Sequence, residues 1–239
     1  MTVFVGLGNP DPAYLNSPHN VGFQSVLRLH ELLGSDEPLD LGTVVLRRGT
    51  HAGQPFVLAR PLTWMNDSGR GVECLLRYLE ADVSDLVVIT DDIDLPLSEI
   101  RIRAEGGAGT HRGMRSLVQT LERKDFARIR IGIYPDDSAP VDLAAYVLAP
   151  LQGDARKKLE KGVERAVSAA RELLESRNIQ AVMNRFNRRS RRESNPGPNT
   201  LFAPPDGGGC RSLTGTGAAH AASIQKEDEC NDRMKSGSS

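Results

Sequence analysis

The chain has 239 residues and carries 30 Lys and Arg against 31 Asp and Glu, a formal net charge of −1. This length is enough for a buried core, and no stretch approaches the ~18 consecutive apolar residues of a membrane span. Three widely separated cysteines, Cys74, Cys210 and Cys230, exclude a disulfide framework and lack metal-ligand spacing. Because the amino terminus also lacks signal-peptide features, we expect a cytoplasmic protein. The near-zero net charge, taken alone, argues against a nucleic-acid partner.

Strand and helix patterns alternate along the first 187 residues. Apolar spacing predicts strands at 3–7, 43–46, 55–59, 85–90 and 128–133, and helices at 20–33, 71–79, 114–121 and 156–174. The second and third strands flank a glycine-containing turn, which is typical of a hairpin, and 85–90 has the apolar character of a strand buried on both faces. This order predicts one α/β domain, with helices covering both faces of a mostly parallel sheet.

The composition changes near the carboxyl terminus. The 47 residues from Glu193 onward contain 7 Gly, 4 Pro and 6 Ser and show no strand or helix period. We therefore predict a domain at 1–187, followed by a tail at 188–239 that is basic at first, then rich in Gly, Pro and Ser, and disordered. The run Arg185–Arg192 holds five arginines. It is either the solvated end of a helix or a basic arm that contacts phosphates.

Polar residues follow the predicted strands. Asn9, Tyr14 and His19 come after the first strand, Asn66 after the hairpin, and Asp91 after the buried strand. In sheets of this class, ligands bind beyond the carboxyl ends of the strands. We therefore expect these side chains to meet in one site.

Asp91 is a candidate partner for a histidine. A carboxylate can hold an imidazole in one tautomer, and either His19 or His111 of the Gly106–Gly113 loop is placed to meet it. Imidazole has an unperturbed pKa near ~6.5, so both its base and its acid forms are accessible near neutrality. No Gly-x-Ser-x-Gly motif or nearby cysteine supplies a covalent nucleophile. The pattern therefore favours a His–Asp pair that activates water.

Two other interpretations of these segments are weaker. Gly6-Leu-Gly8 resembles the start of a dinucleotide-binding fingerprint, but Asp11 stands where the third glycine belongs. Asp91 and Asp92 lie on opposite faces of an extended chain, whereas a hard metal ion requires converging oxygens. We therefore expect neither a nucleotide cofactor nor a metal.

Charge is unevenly distributed along the chain. Residues 80–99 contain seven acidic and no basic side chains, whereas residues 101–130 contain eight basic and three acidic ones. Arg101 and Arg103 share one strand face, as do Arg128 and Arg130. These arginines either pair with the acidic stretch or form a phosphate-binding patch. Because phosphates meet a local patch, the average charge does not exclude a nucleic acid.

Several motifs together resemble the bacterial peptidyl-tRNA hydrolase family. They keep their order and spacing over about residues 2–185 and comprise Gly6–Pro10, Tyr14, His19–Phe23, Pro61–Gly69, Asp91–Pro96, Gly106–Gly109 and Asp125–Ile133. The resemblance implies a single α/β domain around a twisted mixed sheet. It also implies a monomeric enzyme that cleaves the ester between a peptide and the 3′ ribose of tRNA, recycling tRNA and rescuing ribosomes without a metal or cofactor.

The resemblance also implies roles for individual residues. His19 corresponds to the general base and Asp91 to the carboxylate that orients it. The remaining correspondences are to substrate contacts (Asn9, Tyr14, Met65, Asn66 and Arg112) and to tRNA phosphate contacts (Arg103 and Arg130).

The sequence departs from the family at a few positions. Arg112 replaces an asparagine, Asp11 a glycine, Ser17-Pro18 a Thr-Arg pair, and Ser98 a glycine. Arginine only donates hydrogen bonds and cannot replace the acceptor of an amide. Arg112 therefore also fits an alternative, a related RNA-binding protein with impaired catalysis, although Asn9, His19, Asn66 and Asp91 together favour the enzyme.

Overall fold

The computed structural model describes residues 1–135 and 142–187. Within these residues the strands are β1 (Thr2–Gly6), β2 (Leu39–Asp40), β3 (Val44–His51), β4 (Gln54–Pro61), β5 (Leu86–Pro96), β6 (Ile100–Arg103) and β7 (Ala127–Tyr134). The helices in the same ranges are α1 (Val21–Leu33), α2 (Ser68–Leu79), α3 (Arg112–Leu121), α4 (Leu143–Leu148), α5 (Gly153–Ser176) and α6 (Ile179–Phe186).

The strands of these ranges form one mixed sheet in the order β2-β3-β4-β1-β5-β7-β6. The four central strands, β4, β1, β5 and β7, run parallel, whereas β2, β3 and β6 are antiparallel to their neighbours. The predicted hairpin is the β3–β4 pair. The predicted α/β fold with a mostly parallel sheet is therefore confirmed.

Two hydrophobic cores cover the two faces of the sheet. Side chains alternate along β5, so that Val87 and Ile89 belong to the core with α1, α5 and α6, while Leu86 and Val88 belong to the core with α2 and α3. All four side chains are buried, which explains why this strand reads as a continuous apolar run.

Some elements differ from the predictions. Strand β5 continues past residue 90 to Pro96 because the backbones of Asp91 and Asp92 pair with Ile131 and Gly132 of β7. The sequence pattern did not predict β2, α4 or a separate α6. Helix α5 ends where Arg177 adopts a left-handed conformation with φ 51°.

The boundary of the domain remains a prediction. The described residues belong to one compact unit, Met1–Glu193. The tail that we predict at 188–239 lies outside the described residues. Among the helices in residues 1–135 and 142–187, none has both the length and the apolar character needed to cross a membrane.

Two glycines set the position of the segment that carries His19. A Cβ atom at Gly6 would lie 2.1 Å from the carbonyl oxygen of Gly22, and a Cβ at Gly22 would lie 2.4 Å from the carbonyl oxygen of Ile89. The start of α1 therefore packs directly against β1 and β5, an approach that only glycine permits. This contact places the short 3-10 turn Pro18–Asn20 at the carboxyl end of the sheet.

Candidate active site

A cavity of about 730 Å³ lies beyond the carboxyl ends of β1 and β5. Its lining includes every residue that the sequence assigned to the site, namely Asn9, Tyr14, His19, Met65, Asn66, Asp91, Arg103, Arg112 and Arg130. The fold thus brings together side chains from segments far apart in the chain, while their roles stay predictions.

His19 and Asp91 form the predicted pair. His19 Nδ1 lies 3.0 Å from both carboxylate oxygens of Asp91, which is hydrogen-bond distance. An ionised carboxylate can only accept, so Nδ1 carries the proton and donates it. In the neutral ring Nε2 is then a free base, and His19 belongs to the cavity wall. The geometry supports general-base chemistry at Nε2.

His111 is a second histidine on the same carboxylate. Its Nε2 lies 2.8 Å from Asp91 Oδ1 and 2.8 Å from Thr90 Oγ1. Its Nδ1 accepts the Met114 backbone N–H at 3.1 Å and thereby caps α3. Because Nδ1 is an acceptor, Nε2 carries the proton and donates to Asp91. The sequence offered His19 or His111 as the partner of Asp91, and the structure places both there.

Asp91 is buried and only 5% exposed. Burial alone would raise its pKa, but the charges of His111 and His19 and their hydrogen bonds outweigh that effect and hold the pKa well below its usual range. Asp91 is therefore ionised at neutral pH. It can stabilise a positive charge that develops on His19 during proton transfer.

Asn9 is fixed by its neighbours. Its side-chain Oδ1 accepts the Met65 backbone N–H at 3.0 Å. The backbone N–H of Asn9 donates to Asn20 Oδ1 at 2.8 Å, and its carbonyl accepts from Asn20 Nδ2 at 3.0 Å. With Oδ1 engaged, the Asn9 amide NH₂ is the group left to donate toward the cavity.

The 3-10 turn Met65–Asp67 forms the next part of the wall. Met65 is buried against the α2–α3 core, while Asn66 is exposed at the cavity. Trp64 precedes this turn and is 55% exposed, although it also belongs to the cavity wall. A large exposed aromatic ring beside a polar site offers a surface on which a substrate can stack.

Arg112 is the first residue of α3 and lies exposed at the cavity. The next residue, Gly113, packs closely, since a Cβ there would lie 2.5 Å from Met65 Sδ. The start of α3 is therefore pressed against the turn that carries Met65 and Asn66, which fixes the position of Arg112 at the rim.

Arg130 and Arg103 differ in their partners. Arg130 Nε forms a salt bridge with Asp92 Oδ2 at 2.8 Å, so part of the predicted pairing with the acidic stretch is real. Burial raises the pKa of Asp92, and the charge of Arg130 opposes that rise. Arg103 is exposed and forms no salt bridge with any described residue. Both guanidinium groups belong to the cavity wall.

The interpretation of Arg128 as part of an exposed phosphate patch is wrong. Arg128 is only 3% exposed, and its guanidinium donates to the backbone carbonyls of Gly106, Gly107, Lys124 and Phe126 at 2.5–3.1 Å. Burial lowers the pKa of Arg128, and the charge of Arg130 lowers it further. Its role is to hold the glycine loop, because buried carbonyls need hydrogen-bond donors.

His19, Asp91 and His111 are also the described side chains that could hold a metal ion. Their potential ligand atoms all lie within 4.8 Å of one another. In the present arrangement both histidines form hydrogen bonds with Asp91 at 2.8–3.0 Å, so His19 Nδ1 and His111 Nε2 would each have to lose a proton before binding a metal.

Sequence reasoning assigned no role to several residues that shape the site. Asn20 fixes the backbone of Asn9, Thr90 shares the His111 proton, and Asp92 binds Arg130. Thr90 and Asp92 flank Asp91 in sequence, and this adjacency is the one signal that could have identified them. The partner of Asn20 depends on the fold of the loop, which no local pattern encodes.

These features define the class of protein. A buried carboxylate is hydrogen-bonded to a histidine whose other nitrogen can act as a base, and the described residues of the cavity wall include no serine or cysteine. This arrangement is typical of a hydrolase that activates water.

Comparison with known proteins identifies the family. The family model described as peptidyl-tRNA hydrolase matches residues 3–195. The peptidyl-tRNA hydrolase of Koribacter versatilis is 40% identical, with 79% of this chain and 94% of that protein covered. That of Chlorobium phaeobacteroides is 33% identical, with 80% and 100% covered.

Solved structures agree with this result. The crystal structure of peptidyl-tRNA hydrolase from Acinetobacter baumannii matches with a TM-score of 0.72 and 28% identity, covering 78% of this chain and 94% of that one. The chain belongs to the peptidyl-tRNA hydrolase family, and peptidyl-tRNA is the substrate of this family. The predicted hydrolase activity is confirmed, and the alternative of an RNA-binding homologue with impaired catalysis is not favoured.

Proposed function

We propose that His19 is the general base of ester hydrolysis and that Asp91 orients it. His19 Nε2 removes a proton from a water molecule, which attacks the carbonyl carbon of the ester. The proton then passes to the 3′ oxygen of the ribose as that bond breaks, and the products are a free peptide and tRNA. The observation that carries the proposal is the contact of His19 Nδ1 with both oxygens of Asp91 at 3.0 Å, which leaves Nε2 as the base.

Amide groups complete the chemistry. The Asn9 NH₂, held by the Oδ1 contact with Met65 N–H, is placed to donate to the substrate, and Asn66 lies exposed on the adjoining turn. Donors aimed at the developing oxyanion stabilise the transition state more than the ground state. Asn9 and Asn66 therefore hold the peptide and the 3′ end and position the water.

The rest of the wall binds substrate. Tyr14 and Met65 line the cavity beside His19, and Arg112 stands at its rim on α3. An arginine at this rim supplies a charged donor in place of an amide. We assign Arg112 to the 3′-terminal phosphate or adenosine, because a guanidinium fork matches phosphate oxygens.

Arg103 and Arg130 bind tRNA phosphates farther from the ester. Support comes from their place in the cavity wall and from the lack of any described salt bridge at Arg103. Asp92 orients the guanidinium of Arg130 without covering it, since Arg130 remains partly exposed. Phosphate contacts of this kind set affinity and register.

We further propose that the domain at 1–187 acts as a monomer in the cytoplasm, where it recycles tRNA and rescues ribosomes. Support comes from the substrate, because peptidyl-tRNA is produced by translation, and from the assembly of all nine site residues within a single chain.

The test is release of an N-blocked amino acid from tRNA by the purified chain and by His19→Ala. Removing a general base lowers kcat by about 10²–10⁴-fold. His51→Ala is the matched control, because His51 pairs with Glu175 away from the cavity. We expect turnover by the wild type and the control. Wild-type turnover that His19→Ala retains in full would overturn the assignment of His19.

A further inference from the structure

The side chain of Asn187 binds the edge of the sheet as a neighbouring strand would. Asn187 follows the last residue of α6 and is half-buried. Its Oδ1 accepts the Ile102 backbone N–H at 2.7 Å, and its Nδ2 donates to the Ile102 carbonyl at 3.0 Å. Ile102 lies in β6, the last strand at this edge. One carboxamide thus satisfies both outward backbone groups of a residue in an edge strand, where such groups have no strand to pair with.

Two features weaken the attachment of β6 to the sheet. The strand has only four residues and one neighbour, β7. Its Arg101 and Arg103 also lie opposite Arg130 and Arg128 of that neighbour. Like charges directly opposite each other destabilise a strand pair. Contacts on the outer side of β6 therefore help to decide where its arginines lie.

A second contact fixes the start of β6. The turn before the strand contains Ser98 in a left-handed conformation with φ 70°. Arg165 of α5 donates to the Ser98 carbonyl at 3.0 Å, and its other terminal nitrogen lies 3.5 Å from the carbonyl of Phe186, next to Asn187. A Cβ atom at Gly162 would lie 3.4 Å from the Ser98 Cα, so α5 packs closely against this turn. Strand β6 is thus held at its start by α5 and near its end by Asn187.

The register of β6 decides which side chains face the cavity. Ile100 and Ile102 are buried in the core with α5 and α6, and they alternate with Arg101 and Arg103. Arg103 is exposed on the opposite face and belongs to the cavity wall. A shift of one residue in the pairing of a strand exchanges its two faces. Because the Asn187 amide engages both backbone groups of one residue, it opposes such a shift and keeps Arg103 at the cavity.

We propose that Asn187 is a positioning residue for tRNA binding, which holds β6 at its free edge so that Arg103 presents its guanidinium to a tRNA phosphate. This inference rests on the proposed function, which assigns Arg103 to that phosphate. Asn187 is not among the described residues of the cavity wall, so it acts through β6 and does not touch the ester. Its loss should therefore weaken tRNA binding and leave the chemical step unchanged.

The test is a double-mutant cycle of Asn187→Ala and Arg103→Gln in the full chain. Deacylated tRNA is the binding probe, and its dissociation constant is measured over a range of KCl concentrations. Asn187→Ala alone should weaken binding about 3-fold or more and reduce the slope of log affinity against log salt by up to about 0.7–0.9, the share of one phosphate contact. In the Arg103→Gln background the same change should alter the affinity less than about 1.5-fold, because the effects of coupled residues are not additive.

Two outcomes of the cycle would overturn the proposal. One is wild-type tRNA affinity in a folded Asn187→Ala. The other is an equal loss in both backgrounds, because Asn187 would then act independently of Arg103. Wild-type affinity in Arg103→Gln would instead refute the phosphate contact of Arg103, and the inference with it. Failure of the wild type to release an N-blocked amino acid from tRNA would count against the proposed hydrolysis, while the affinities would still decide the role of Asn187.

Two controls separate positioning from damage to the fold. Asn184→Ala is the matched variant, because Asn184 is exposed on α6 and its side chain accepts from Gln180 of the same helix. It should keep the wild-type affinity for tRNA. The N-blocked aminoacyl ester of a CCA trinucleotide reports chemistry without the tRNA body, and Asn187→Ala should cleave it with the wild-type kcat. A purely structural role would lower this kcat together with the melting temperature.

A second variant keeps the test decisive if Asn187→Ala does not fold. Asn187→Leu has a similar shape but neither an acceptor nor a donor, so it preserves packing beside β6 and loses both contacts with Ile102. We expect the same loss of tRNA affinity and the same dependence on Arg103. Wild-type affinity in Asn187→Leu would overturn the proposal.

Discussion

The Asp91 cluster and the arginine edge use polar side chains in opposite ways. In the Asp91 cluster (His19, Thr90, Asp91 and His111), each side chain is tied to another member at 2.8–3.0 Å. At the arginine edge (Arg101, Arg103 and Arg130), two of the three guanidinium groups form no described salt bridge. Bond cleavage needs a fixed geometry, whereas binding a polyanion needs charges that remain available.

The largest effect we expect in the cluster is that of Asp91→Asn. An amide has no negative charge to stabilise the imidazolium of His19 and offers only one acceptor oxygen, so His19 is held less firmly in its tautomer and kcat falls at least about 10²-fold. Turnover of N-blocked aminoacyl-tRNA measures this loss. Asp94→Asn is the matched control, because Asp94 is exposed on the same strand. Equal kcat values for Asp91→Asn and Asp94→Asn would show that the Asp91 carboxylate matters no more to catalysis than an exposed carboxylate on the same strand.

The same residue predicts a pH dependence of stability. The folded pKa of Asp91 lies below its unfolded value, so its contribution is fully present above the unfolded pKa and is lost as the pH falls through the folded one. The difference in unfolding free energy between wild type and Asp91→Asn should therefore shrink below about pH 4. Urea unfolding at several pH values checks this, and a difference that grows on acidification would contradict it.

His111→Gln should affect catalysis less than His19→Ala. Both ring nitrogens of His111 are used inside the fold, by Asp91 and by the Met114 N–H. We expect kcat to fall roughly 10-fold, well short of the 10²–10⁴ range of a general base, and stability to fall by about 1 kcal/mol from loss of the α3 cap. If His111→Gln equals His19→Ala in kcat, His111 acts on the substrate and the assignment of a single base fails.

Arg103 and Arg128 sharpen the comparison, because they face each other across β6 and β7. Arg103→Gln should raise KM for tRNA substrates several-fold, lower the salt slope by about 0.7–0.9, and leave the melting temperature unchanged. Arg128→Gln should instead destabilise the protein by about 1–3 kcal/mol, because buried carbonyls lose their donors. Kinetics at several salt concentrations measure the change in KM, and urea unfolding measures the change in stability, for both variants. A loss of stability in Arg103→Gln together with a raised KM in Arg128→Gln would contradict these assignments.

The smallest effect belongs to Asp92→Asn. Burial raises the pKa of Asp92, so its contribution to stability is present below the unfolded pKa and is lost as the pH rises through the folded one. The variant should therefore lose less stability than wild type as the pH rises above about 4. Release of Arg130 should change KM for tRNA by less than about 3-fold, because Arg130 keeps its own charge and is already partly exposed at the cavity. A steeper pH dependence in the variant would contradict the raised pKa.

Much of the fold follows from local patterns. The apolar run of 85–90 predicted β5, because a strand buried on both faces is apolar throughout. The helical spacing of apolar residues in 156–174 predicted α5, because a helix that packs along one stripe repeats apolar residues at that spacing. The two-residue strand β2 and the short α4 leave no such trace. The 3-10 turns that carry His19 and Met65 depend on tertiary contacts of these loops with the end of the sheet, which local sequence patterns do not encode.

The sequence predicted which residues line the candidate site, but it did not predict the hydrogen bonds between them. Asn9, His19, Asn66 and Asp91 follow strands, and parallel strands bring their carboxyl ends to one edge. That Asp91 receives two histidines, and that Asn20 fixes Asn9, depends on loops whose conformations are set by contacts far along the chain.

The sequence by itself determined the order of strands and helices, the strand ends at which polar side chains gather, and the separation of acidic from basic segments. Only the tertiary structure decided which arginines remain free. Arg128 and Arg130 have the same two-residue spacing as Arg101 and Arg103, yet the glycine loop buries Arg128 and Asp92 holds Arg130. A period of two assigns side chains to a face of a strand, but the segments that later cover that face decide whether a charge binds the protein itself or its substrate.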